Sequence, residues 1–149
     1  MYIPLRTQLI QRVPWFFKPC FDCLDFLRRD YGFSYDGESP GGPDNYARLV
    51  FTDDKLQIEV LSWLPMGLPT LTVTSLRGQR RVLDLRAIVP EQALASESGD
   101  YYERYMRIPP LNKLERDEID REFETAVANR ITEFAAFLHG HVDKLRHAA

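Results

Sequence analysis

Along the last third of the chain, Ile119, Phe123, Val127, Ile131, Phe134 and Leu138 step by four, four, four, three and four. That is the recurrence of one face of an α-helix, and it predicts a long terminal helix ending at Gly140. The N-terminal region follows the same logic on a smaller scale. Leu5, Leu9, Ile10 and Val13 share a helical face behind Pro4, and a second helix starts at Pro19. It runs through Cys20, Leu24, Leu27 and Tyr31, with Gly32 as its C-terminal cap.

In the centre the period changes. Leu56-Gln57-Ile58-Glu59-Val60 alternates strictly, as a half-buried strand does, and Tyr46 to Thr52 reads as its hairpin partner across Asp53-Asp54. Leu71 to Thr74 and Arg81 to Leu83 supply two more strands. Phe33 to Tyr35 can begin a strand, but Asp36 to Asn45 is nearly pure turn chemistry and reads as a flexible loop. Asp84 is a candidate N-cap for a short helical turn ending near Pro90. Another helical piece is expected around Glu91 to Ala95, a loop at Ser96 to Asp100, and a short segment bearing Tyr101, Tyr102 and Tyr105 before Pro109-Pro110.

The pattern predicts an α+β fold: an antiparallel meander of about four strands, with the N-terminal helices and one long C-terminal helix packed on one face. Leu56, Ile58, Val60, Leu71 and Val73 should meet Phe123, Val127, Ile131 and Phe134, leaving Gln57, Glu59, Thr72 and Thr74 toward solvent. At 149 residues, with no internal repeat, the chain reads as a single domain spanning residues 1–149.

Charge narrows the function classes. With 19 basic and 22 acidic residues the formal net charge is −3, which argues against a dedicated nucleic-acid binder. The longest uncharged stretch, Val60 to Leu76, is broken by Pro65, Gly67 and Pro69, so no membrane helix is expected. The first residues lack the basic and apolar regions of a secretory signal, and two cysteines suit a reducing compartment. A cytoplasmic protein is the expectation.

Recognisable catalytic motifs are missing. There is no glycine-rich phosphate loop, dinucleotide fingerprint, His-Glu-x-x-His or Gly-x-Ser-x-Gly, and Glu59-Val60-Leu61 lacks the lysine of a nuclease motif. Cys20-Phe21-Asp22-Cys23 has redox spacing, and the start of a helix would lower a thiol pKa. Without a βαβ context the pair reads instead as two small apolar residues on a buried helix face. Cys20, Cys23, His139 and His141 are a poor match to zinc-ligand spacing. No catalytic, cofactor-binding or metal-ligating residue is assigned, and no cofactor is expected.

Three clusters remain as candidates. Trp63-Leu64-Pro65-Met66-Gly67-Leu68-Pro69 is a strand connection made almost wholly of apolar residues. It either folds back under Trp15-Phe16-Phe17 or presents Trp63, Leu64, Met66 and Leu68 to a partner. Glu115, Asp117, Glu118, Asp120, Glu122 and Glu124 make the start of the long helix acidic, and the chain after Pro90 carries 8 basic and 12 acidic residues. Such a face steers a basic partner. Arg77, Arg80, Arg81 and Arg86 surround a hairpin turn.

The order of helix, Tyr31-Gly32-Phe33, strand meander and a terminal helix closing on Phe137-Leu138-His139-Gly140 resembles small uncharacterised bacterial α+β proteins, some similar to immunity proteins of polymorphic toxin systems. The resemblance carries over no functional residue. It implies a cytosolic protein that binds another protein rather than turning over a substrate.

Two function classes stay open. One is a protein-binding module without catalytic activity, an immunity-like inhibitor using the apolar connection and Glu115, Glu118, Asp120 and Glu122 against a basic protein. A homodimer is also left open. The alternative is a small-ligand or enzymatic domain, its cleft near the Gly/Pro loop lined by Tyr101, Tyr102, Tyr105, Arg77, Arg80, Arg81 and Arg86.

Overall fold

Two prolines decide how the N-terminal helices divide. In the computed structural model, which describes residues 2–43, 45–89, 100–107 and 109–149, α1 is Leu5–Arg12, α2 is Pro14–Leu24 and α3 is Phe26–Tyr31. The second helix thus begins at Pro14, five residues before the expected start, and Pro19 lies inside it. Pro14 takes the position where a missing N–H is harmless. An interior proline ordinarily costs about 3 kcal/mol. Phe16, Phe17, Cys20, Phe21 and Leu24 are all buried along α2, and at about 1.5–3 kcal/mol for each large side chain that burial outweighs the proline. Gly32 caps α3 at φ +77°.

Five strands follow: β1 Ser34–Glu38, β2 Tyr46–Thr52, β3 Leu56–Trp63, β4 Thr70–Ser75 and β5 Arg81–Val82. They pair in chain order, each antiparallel to the next. The additional strand is β1. Asp36, Gly37 and Glu38, expected in the loop, instead pair with Val50, Leu49 and Arg48. Gly37 is required at that place, because a Cβ there would lie 2.7 Å from Leu9 Cδ1 and 3.0 Å from the Arg48 carbonyl oxygen. Its missing side chain lets α1 close over the strand.

The alternation in β3 sets the two faces of the sheet. Leu56, Ile58 and Val60 are buried, with Ile58 between Phe51 and Val73 and Val60 between Leu49 and Leu71. Leu71 is half-buried at the edge of this core, and Gln57, Glu59, Thr72 and Thr74 occupy the opposite, partly solvated face. The buried strand residues share one core with Phe123, Val127, Ile131 and Phe134.

After β5, Asp84 caps α4 (Leu85–Ile88), its Oδ1 accepting the N–H groups of Arg86 and Ala87. The helical piece expected at Glu91 to Ala95 and the loop at 96–99 lie outside the described residues. α5 is Tyr101–Tyr105, and α6 spans the 36 residues Lys113–Ala148. A reciprocal capping box opens α6: Asn112 Oδ1 accepts the Glu115 N–H at 2.9 Å, and Glu115 Oε1 accepts the Asn112 N–H at 3.4 Å. Gly140 does not end the helix. Val142 and Leu145 continue its buried stripe for two more turns, and that burial overrides the stop signal.

α2 and α3 lie beside α6 and run in its direction. Trp15 packs edge-on to Phe123 at 5.0 Å, Cys23 Sγ lies 3.9 Å from Thr132 Oγ1, and Phe26 stacks on His139 at 3.5 Å. Toward the helix end, Arg146 donates to the Tyr31 carbonyl at 2.8 Å and pairs with Asp53 at 2.9 Å. Arg130 donates from Nε to the Pro69 carbonyl at 2.6 Å. Arg130 and Arg146 therefore clasp opposite ends of the sheet. Sixteen helical steps are about 24 Å, which matches an eight-residue strand such as β3. The portion of α6 before Arg130 reaches past the sheet, on the side of the β1–β2 loop and the β3–β4 connection.

A Cβ on Gly140 meets nothing within 4 Å. Gly140→Ala should therefore raise stability by about 0.5–1 kcal/mol in urea unfolding; a loss would contradict an uninterrupted helix. Phe134→Asp places an unpaired carboxylate in the core and should abolish folding. A soluble variant with native circular dichroism and melting temperature would contradict the packing.

Candidate functional site

The β1–β2 loop and the β3–β4 connection meet at one end of the sheet, tied through Asn45. Its carbonyl accepts the Leu64 N–H at 3.0 Å, while its Oδ1 accepts the N–H groups of Gly41 at 2.7 Å and Tyr46 at 2.9 Å. The connection itself is a tight turn. Gly67 donates its N–H to the Trp63 carbonyl at 2.6 Å, and the Ser62 hydroxyl donates to the Gly67 carbonyl. Only glycine fits there, since a Cβ would sit 2.5 Å from the Trp63 carbonyl oxygen.

This turn divides the apolar cluster. Leu64, Met66 and Leu68 are half-buried and pack against the core margin, whereas Trp63 is 57% exposed. Trp63 lies opposite Tyr46 in the register, and their rings meet edge-on at 5.5 Å on the partly solvated sheet face. Beside them Arg48 pairs with Glu59 at 2.6 Å and with Glu38 at 3.6 Å. The Tyr46 hydroxyl donates to Glu38 at 2.8 Å. That bond to a carboxylate, reinforced by partial burial, pushes the phenol pKa up.

Between the two loops and the α1–α2 corner lies an open cleft of about 530 Å³, whose walls include Arg12, Trp15, Ser39, Asn45, Leu64 and Pro65. Arg12 is oriented by donating from Nη1 to the Ser39 carbonyl at 2.7 Å. The cleft lies at the Gly/Pro loop, but with other residues than the sequence pattern suggested. Tyr101 packs on Phe123 at 5.5 Å, while Arg81 donates to the Ala148 carbonyl at 2.9 Å. Those two contacts stand 25 helical steps apart, about 37 Å. Tyr101, Tyr102 and Tyr105 on α5 are thus not brought together with Arg81, nor with Arg77 and Arg80 in the neighbouring β4–β5 turn, and Arg86 lies on α4.

The acids of α6 are partly engaged. Glu115 belongs to the capping box, and Glu122 pairs with Arg104 at 2.8 Å. This bond to a carboxylate raises the pKa of the exposed guanidinium. Glu115, Glu118 and Glu122 line a groove of about 230 Å³ opposite Arg104 and Arg107, and Asp120 is half-buried. Because Trp15 spans from the cleft to Phe123, next to Glu122, the acidic start of α6 and the Trp63 turn fall at the same end of the molecule.

Cys20 lies on the buried face of α2, as expected, but in mid-helix rather than at a helix start, and its full burial pushes the thiol pKa well up. Cys23 is only half-buried, on a groove between α2 and α6. His139 stacks on Phe26, and His141 lies against Phe137. Among the described residues, no group of three or more metal-ligating side chains gathers, and no helix is long and apolar enough to cross a membrane. Comparison with known protein families, curated proteins and solved structures finds no match to this chain.

A thiol-specific reagent at pH 8 should therefore modify at most Cys23 in the native protein and both cysteines after denaturation. Rapid native modification of Cys20 would contradict its burial.

Proposed function

We propose that the chain is a protein-binding module without catalytic activity, an immunity-like cytoplasmic inhibitor that docks a basic protein at the Trp63 end of its sheet. The observation that carries this reading is Trp63 itself, 57% exposed yet held by the Tyr46 ring. A large aromatic side chain kept at a fixed angle on a strand end can bury much area with little loss of freedom. Glu115, Glu118, Asp120 and Glu122, at the same end, supply the charge that steers a basic partner.

The test compares tagged wild type with a Trp63→Ala/Leu64→Ala variant in capture from the native lysate at low and high salt. One stoichiometric basic protein should be retained by wild type, released as salt rises and lost by the variant, whose far-ultraviolet circular dichroism stays native. Full retention by a natively folded double variant would overturn the reading.

The cleft at the Gly/Pro loop favours a second reading, a small-ligand-binding domain. A ligand at 100 times its dissociation constant would stabilise the fold by about 2.7 kcal/mol in a thermal-shift panel.

A further inference from the structure

We infer that the cleft between the α1–α2 corner and the two loops takes a small carboxylic acid with an apolar body, its carboxylate on Arg12. The inference rests on the small-ligand reading of this cleft and assigns its ligand class. Of the nine described residues that line the cleft, Arg12 alone is charged. Its guanidinium makes one hydrogen bond, to the Ser39 carbonyl, and has no carboxylate partner among the described residues. Four of its five N–H donors are thus left for an incoming acceptor.

Ser39 is the second observation. It is 6% exposed, one of three buried polar residues among those described, and it lines the cleft; its hydroxyl makes no hydrogen bond among the described residues and is not sealed from solvent. A hydroxyl that reaches the cleft can exchange water for an acceptor on a ligand. Asn45 adds a third donor. Its Oδ1 is occupied by two backbone N–H groups, which leaves the amide nitrogen available. A guanidinium, a hydroxyl and an amide N–H, with no acidic side chain among the described lining residues, select an anionic acceptor. A single guanidinium matches a carboxylate in bidentate geometry. Val13, Trp15, Leu64 and Pro65 form the apolar walls, so the rest of the ligand is hydrocarbon or aromatic.

Trp15 lies in the wall and the chain has two tryptophans, so Trp63→Phe leaves Trp15 as the reporter. Phenylacetate, phenylacetamide and N-acetylglycylphenylalanine would each be titrated while Trp15 fluorescence is followed. Phenylacetate should bind saturably and at least ten-fold more tightly than the neutral amide. Arg12→Gln should erase that difference, Arg12→Lys should restore part of it, and Ser39→Ala should weaken the acid alone. Tighter binding of the dipeptide would mark the source as a chain's C-terminal carboxylate, and tighter phenylacetate a free acid. Equal binding of acid and amide, or an unchanged preference in natively folded Arg12→Gln, would overturn the carboxylate assignment and leave the small-ligand reading standing. Silence of Trp15 toward all three compounds up to millimolar concentration would overturn both.

Discussion

The burial of one long stripe on α6 is the constraint on which the other elements depend. Phe123, Val127, Ile131, Phe134, Leu138, Val142 and Leu145 cannot be covered by a single neighbour. α2 and α3 take one flank and the sheet takes the other. At about 25 cal/mol per Å² of apolar surface removed from water, such a stripe dominates any local preference along its length. This explains why a helix carrying Gly140 runs on for eight residues, and why α2 tolerates Pro19.

Charged groups then set the register of that packing. Arg146 is 22% exposed and Asp53 10%, and the guanidinium also lies over the rings of Tyr31 and Phe33. One side chain thereby joins the end of α6, the β2–β3 turn and the α3–β1 junction. Asp53 is fixed in turn by accepting the N–H groups of Lys55 and Leu56. A partly buried pair of this kind contributes modestly to net stability, and its sharper effect is to penalise alternative alignments that leave either charge unpartnered. Arg130 does the same at the other end through the Pro69 carbonyl.

With α6 clasped at both sheet ends, the two loop systems at the Arg130 end are left to shape a surface. The β3–β4 turn faces two ways: Leu64 lines the cleft, and Trp63 stands on the partly solvated face. A protein partner at Trp63 and an acid in the cleft would touch adjacent residues, so the two proposals concern neighbouring and physically separable parts of one end of the fold.

Local patterning was enough for the α+β class, the antiparallel meander, the two faces of β3 and the stripe from Ile119 to Leu138, because period and alternation are properties of neighbouring residues. It also singled out Trp63 to Pro69 as an apolar connection. It did not decide that Asp36 to Glu38 is a strand, since the hydrogen bonds that make it one come from β2. Nor did it separate Tyr101 from Arg81, which are 20 positions apart in the chain but attached to distant points of α6. The cleft residues Arg12, Ser39 and Asn45 carried no motif, for each is an ordinary polar residue in its own segment. Only tertiary structure converges them, because long-range packing and not local propensity determines which segments meet.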